Sequence, residues 1–216
     1  MKTRDFEELA ARLARRRRGG DEWQLVTPFS VLPARRAARE VIFSTKESGL
    51  MGLRVTDLLR TSTTWVWHYG VTSRPEWLRL RAERDLGASV LYFLGDLDPL
   101  DLSVFASLVA GIPTHGMKVV HLGVGDEWLR LAEEHLKVDR AQLPTIKMSP
   151  FEIATYRALR DLRGALPVGV SVEGQAILSA GQKLEIEGVS NPAFYEGGFS
   201  IALEKMLRRR LAATRR

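Results

Sequence analysis

The stretch Val90-Leu91-Tyr92-Phe93-Leu94-Gly95-Asp96-Leu97-Asp98-Pro99 decides how the rest of the chain is read. A run of five apolar residues this short suits a strand covered on both faces of a sheet. Side chains alternate along an extended chain, so Asp96 and Asp98 project to one side where that strand ends. Pro99 favours an extended residue before it and fits the first turn of a helix. Leu102, Val104, Phe105, Leu108 and Val109 then supply an apolar helical stripe. Two carboxylates at the carboxyl end of a central strand lie where open α/β sheets hold ligands. They are also hard oxygen donors of the kind Mg²⁺ takes. Aspartates in this setting equally cap helices, so the pair alone does not separate metal chemistry from capping.

Upstream, residues 40–45 (Glu-Val-Ile-Phe-Ser-Thr) predict a first strand, followed by a polar turn at 46–49 and a helix over 50–60. The β-branched and aromatic run at 63–68 predicts a second strand. A helix over 75–87 opens on Pro75 and ends at Gly87. Downstream of Asp98, residues 117–122 predict a fourth strand, and Asp126 caps a helix over 127–136. Strands and helices thus alternate through 39–136, which argues a mainly parallel sheet of about four strands flanked by helices.

The remaining segments are less regular. Residues 3–18 have helical spacing and stop at Gly19-Gly20. Residues 21–34 read as an irregular packed segment. Residues 137–149 read as a connector, 151–162 as a helix, 167–172 as a short strand and 199–211 as a final helix. Residues 181–187 alternate polar and apolar and fit either a strand or a turn. The expected organisation is an N-terminal helix and irregular segment over 1–38, one α/β domain with a mixed C-terminal extension over 39–211, and a basic tail over 212–216.

Composition narrows the chemistry. With 216 residues and 45% hydrophobic content, the chain can bury a sizeable core. It contains no cysteine, which excludes disulfides, thiolate metal sites and a cysteine nucleophile. No apolar run approaches the roughly 20 residues that span a bilayer, and the charged N-terminus lacks a signal peptide's apolar core. A cytoplasmic protein without membrane association is expected. The net charge is +6, with arginine concentrated at Arg15–Arg18, Arg208–Arg210 and Arg215–Arg216. Such clusters suit phosphate contacts, although they also serve as solvated helix ends.

Four stretches, in order, carry a resemblance to a known family. Residues 92–99 are similar to the Asp-x-Asp-Pro segment of the Toprim domain in the A subunit of type IIB DNA topoisomerase (topoisomerase VI) and the related meiotic double-strand-break transesterase. Residues 41–48 (Val-Ile-Phe-Ser-Thr-Lys-Glu-Ser) stand where that family has a strand ending in Glu-Lys-Glu or Glu-Lys-Asp. Residues 119–124 resemble its Leu-Gly-Leu segment, and residues 182–189 its Lys-x-Glu-x-Glu-Ala-Leu segment. The resemblance covers about residues 39–207 and implies a Toprim-like, Rossmann-like fold. It also implies DNA binding, Mg²⁺ and phosphodiester chemistry, and by family analogy a homodimer.

Carried over residue by residue, Asp96 and Asp98 would be the metal ligands, with Glu47 a third ligand or a general base. His68 and Arg74 are candidates for phosphate contact, and Glu185 and Glu187 match a family segment. Two positions depart from the pattern. Thr45 stands where the family has its metal-binding glutamate, which weakens any site for Mg²⁺. The family cleaves DNA with a tyrosine on a preceding winged-helix domain, but only about 38 residues precede the first strand here, and residues 1–68 contain no tyrosine. Covalent cleavage is therefore expected only if a protein partner supplies that tyrosine.

The sequence supports two leading readings: a metal-dependent nuclease or topoisomerase-like subunit acting on nucleic acid, and a catalytically decayed Toprim-like scaffold binding nucleic acid or protein. A third, an α/β enzyme for a phosphorylated small molecule, lacks a glycine-rich phosphate loop.

Overall fold

The computed structural model describes residues 24–26, 29–34, 40–46, 63–70, 73, 75–78, 80, 90–111, 117–136, 143–162, 170, 172–186, 205–206, 208–209 and 212–213. The expected helices over 3–18 and 50–60 lie outside these residues, as do Glu47 and Arg74.

Eight strands and four helices have defined bounds among the described residues, and residues 75–78 are also helical. The strands are β1 (Gln24–Val26), β2 (Phe29–Leu32), β3 (Glu40–Ser44), β4 (Thr63–Trp67), β5 (Val90–Leu94), β6 (Lys118–His121), β7 (Ile146–Lys147) and β8 (Gln182–Lys183). The helices are α1 (Pro99–Gly111), α2 (Asp126–Leu136), α3 (Pro150–Asp161) and α4 (Val172–Ser179). None of the described helices is long and apolar enough to cross a membrane.

The main sheet has the order β1-β2-β4-β3-β5-β6. Its β4, β3, β5 and β6 are parallel, matching the four strands expected from the apolar runs. After β3 the chain lays β4 on one side and then returns to lay β5 on the other. The carboxyl ends of β3 and β5 therefore border a topological switch point, the crevice in which open α/β sheets place their sites.

Residues 21–34, expected to be irregular, instead supply β1 and β2, so the sheet begins before residue 39. The two strands pair antiparallel, and β2 joins the antiparallel edge of β4, with Val31 opposite Val66 and Leu32 opposite Trp65. Prolines at 28 and 33 bracket a run of only four residues, too short for alternation to declare itself. Both prolines fall outside the four residues of β2, which is an interior strand paired with β1 and β4.

Period-two alternation splits the buried residues into two layers. Ile42, Trp65, Tyr92 and Leu94 face one side, where they pack with Trp128 and Leu129 of α2, Tyr156 and Leu159 of α3, and Leu178 of α4. Val41, Phe43, Val66, Leu91 and Phe93 face the other, against Trp77, Leu80 and the α1 residues Val104, Phe105 and Leu108. Helices on both faces explain why β3 and β5 read as near-continuous apolar runs.

The C-terminal part is built differently from expectation. Val170 is not in a strand, and Val172 opens α4 instead of closing a strand over 167–172. Gln175 Nε2 donates to Val170 O at 3.1 Å, and Leu178 is buried on the inner side of α4. One Val-Gly-Val run was too short to identify a strand against these contacts. The final helix over 199–211 is described only at 205–206 and 208–209, which are helical.

Candidate functional site

At the carboxyl end of β5 the chain runs through Gly95, Asp96 and Leu97 before Asp98 starts α1. Leu100 N donates to Asp98 Oδ1 at 2.6 Å, and Leu102 N to Asp98 O at 3.0 Å, so Asp98 works as the cap of α1. The loop after β6 runs alongside: Leu122 N donates to Phe93 O at 2.7 Å and Val124 N to Gly95 O at 3.2 Å. This approach is close enough that a Cβ on Gly123 would collide with the Gly95 carbonyl, and one on Gly95 would stand 2.8 Å from Asp101 Oδ2. Both glycines are thus set by steric space.

The segment after β8 then closes over Asp96-Leu97-Asp98 from the far end of the chain. Leu97 N donates to Leu184 O at 2.9 Å and Leu184 N to Leu97 O at 3.1 Å, a single antiparallel bridge. Its flanks carry the polar contacts. Lys183 Nζ lies 2.7 Å from Asp98 Oδ2, and Ile186 N donates to Asp96 Oδ1 at 2.8 Å. Lys183 also reaches Glu152 Oε1 at 2.7 Å and Glu185 Oε1 at 3.9 Å. Glu152 belongs to the capping box of α3, where Ser149 N donates to Glu152 Oε2 at 2.6 Å and Glu152 N to Ser149 Oγ at 3.3 Å.

From the β3 side come Thr45 and Lys46. Thr45 Oγ1 donates to Asp101 Oδ1 at 2.8 Å, and Asp101 Oδ2 accepts from Asp96 N at 2.7 Å. Lys46 Nζ pairs with Asp96 Oδ2 at 2.9 Å. Trp67 Nε1 donates to Thr45 O at 3.1 Å, which ties the end of β4 to the same corner. The cluster is thus assembled from β3, β5, α1, α3 and β8.

Its electrostatics follow from burial. Asp96 is pushed up from its ordinary 3.8 to about 7, first by desolvation and then by the neighbouring Asp101 charge, with Ile186 N–H and Lys46 opposing. Asp101 is raised for the same leading reason, against hydrogen bonds from Asp96 N–H and Thr45. At Glu152 burial acts upward, but the hydrogen bonds from Lys183 and Ser149 win and hold it down at about 2. Burial acts to lower Lys183, yet its contacts with Asp98 and Glu152 raise it, so the ammonium is held charged.

Of the sequence-based candidates, Asp96 and Asp98 are both buried in this cluster and Thr45 joins them. Glu47 and Arg74 lie outside the described residues. His68 packs on Phe29 and Phe43 at ring-centroid distances of 4.9 and 6.4 Å, with Nδ1 3.2 Å from Gly70 O. Its surroundings are those of a packed histidine at the end of β4. His121 is likewise buried against Phe93 and Phe105. Glu185 stands beside Lys183, and Glu187 lies outside the described residues.

Four participants were missed: Asp101, Lys46, Lys183 and Glu152. Asp101 follows Asp98 at the third position of the helix, the spacing of a capping-box acid, and that was its available signal. Lys46 adjoins Thr45 in the matched stretch. Lys183 stood inside a matched segment, but nothing local indicated which acids it would meet.

The donor set can be tested against Mg²⁺, which wants near-octahedral oxygen ligation at about 2.0–2.1 Å. Each of the four carboxylate oxygens of Asp96 and Asp98 already has a protein partner, and on each residue one of the two is a lysine ammonium. Among the described residues no group of three Asp, Glu, His or Cys side chains converges as a metal ion would need. As folded, the described residues do not fit the ion. A scan against protein-family models gives no match, and a search of curated proteins gives no significant match.

Proposed function

We propose that this chain is a Toprim-like module that binds nucleic acid, DNA in the first instance, and that its acidic strand end serves as structure in place of metal-dependent cleavage. One observation carries this reading. The four stretches that bear the family resemblance converge on one corner: Thr45 and Lys46, Asp96 to Asp98, Leu122 to Val124, and Lys183 to Ile186. Three of them follow the adjacent parallel strands β3, β5 and β6, and the fourth bridges back onto Leu97. The non-catalytic form is favoured because both aspartates are engaged by lysines. The net charge of +6 supports a polyanionic partner, and Lys147, Arg157 and Arg160 are exposed on β7 and α3.

The second reading keeps Mg²⁺-dependent phosphodiester cleavage, with Asp96, Asp98 and Glu47 as the acids and a protein partner or second copy completing the site. It is favoured by the Asp96 carboxyl lying near neutrality, since a nearby dication would draw it back to the charged form.

Duplex affinity measured across salt, together with plasmid nicking in Mg²⁺ or Mn²⁺, tests the proposal. The expected result is salt-sensitive binding with no nicking. Nicking that disappears in Asp96→Ala transfers support to the second reading, and undetectable binding at low salt rejects a role in nucleic-acid binding.

A further inference from the structure

We infer that Lys46 and Lys183 together stand in for a dication at the strand-end carboxylates, so that this corner carries its own cations and gains a divalent-ion site only when one or both are removed. The inference concerns the cluster alone and does not depend on whether the chain binds nucleic acid.

Two ammonium groups supply the same +2 as one Mg²⁺. They approach from different elements, Lys46 from the end of β3 onto Asp96 and Lys183 from β8 onto Asp98. Each is partly sheltered, with side-chain exposures of 29% and 15%, whereas the aspartates they meet are 2% and 7% exposed. A carboxylate so deeply buried needs a partner, because an unpaired buried charge is strongly penalised. The contacts are also of ammonium kind. The N–O separations are 2.9 and 2.7 Å, and each lysine meets an oxygen of only one member of the aspartate pair. A metal ion would instead draw oxygens of both aspartates to one centre at about 2.0–2.1 Å. The remaining Asp96 and Asp98 oxygens accept from Ile186 N and Leu100 N, so their orientation is fixed by backbone donors that do not depend on either lysine.

Thr45 fits the same account. A carboxylate at that position would add a negative charge beside Asp96 and Asp101, which are already buried together. A hydroxyl donating to Asp101 at 2.8 Å adds none. The substitution of a neutral donor for an acid and the two resident ammonium groups thus act in one direction: they make the corner stable without an added cation.

The test uses the full chain with Mg²⁺ and Mn²⁺ as probes, reading thermal midpoints and Mn²⁺ binding by the loss of its free electron-spin signal. In wild type, millimolar Mg²⁺ is expected to leave the midpoint within about 1 °C of its value in chelator, because a ligand stabilises only the state it binds. Lys46→Met/Lys183→Met is expected to melt lower in chelator and to recover several degrees with either ion. Lys46→Met alone, which removes the more exposed ammonium, keeps the test decisive if the double variant does not fold. It is expected to bind Mn²⁺ about tenfold or more tightly than wild type, a gain of about 1.4 kcal/mol. Stabilisation of wild type by Mg²⁺ overturns the inference. So does a folded Lys46→Met protein with unchanged Mn²⁺ affinity.

Discussion

Lys183 and Asp98 are 85 residues apart in the chain and meet at 2.7 Å between Nζ and Oδ2, with Glu152 on the other side of the same ammonium at 2.7 Å. One side chain therefore joins the start of α1, the start of α3 and strand β8. Lys183→Met should leave two buried carboxylates without their cation and cost about 3 kcal/mol, less than for a fully buried pair because the site keeps some access to water. Urea denaturation measures this loss. Adding Asp98→Asn should restore part of it, since the pair is coupled. Strictly additive losses would mean that the two residues do not interact.

The Thr45–Asp101 hydrogen bond is wholly buried. Thr45→Val keeps the shape and removes the donor, so Asp101 loses one of its two hydrogen-bond donors. A cost of about 1–3 kcal/mol is expected, while Thr45→Ser should stay near wild type. Equal stability of the valine and serine variants would show that the hydroxyl contributes nothing.

Gly123 allows the loop after β6 to lie on Gly95. Gly123→Ala pushes a methyl into a backbone carbonyl, which has no soft rotamer with which to yield. A loss of about 1–3 kcal/mol is expected from overpacking, read as a lower denaturant midpoint. A midpoint equal to wild type would contradict the close approach of these two strand ends.

Stability should also depend on pH in an unusual direction. Asp96 has a folded pKa of about 7 against 3.8, so between these values the folded state holds a proton that the unfolded state has released. Stability from this group is full below about pH 4 and is lost as pH rises through 7, by at most roughly 4 kcal/mol. Asp101 acts in the same sense. Glu152, held at about 2 against 4.5, acts oppositely: its contribution is present above 4.5 and is lost as the solution is acidified towards 2. Denaturation midpoints from pH 4 to 8 should therefore fall for wild type and fall less for Asp96→Asn. Parallel profiles for the two proteins would remove Asp96 as the cause.

The parallel sheet was legible because β3, β4, β5 and β6 are apolar or β-branched runs separated by helix-length segments. The hairpin of β1 and β2 was not, since Phe29–Leu32 is short and its partner Val66 is 35 residues away. At the site, Asp96 and Asp98 were legible from strand alternation, and Thr45 from the family pattern. Their cations were not. Lysine contacts across 50 to 85 residues depend on how the C-terminal segment folds back, and a one-residue bridge such as Leu97 to Leu184 leaves no periodic trace. The distinction matters because the acids by themselves suggest a metal centre, whereas the acids with Lys46 and Lys183 describe a corner that carries its own cations.

Crystals of the wild-type chain soaked in Mn²⁺ offer the most direct test of that corner, because the ion's anomalous scattering marks its position without reference to activity. The account predicts Lys46 against Asp96, Lys183 between Asp98 and Glu152, and no anomalous peak at the aspartates. A peak bridging Asp96 and Asp98, with the lysines displaced, would contradict it.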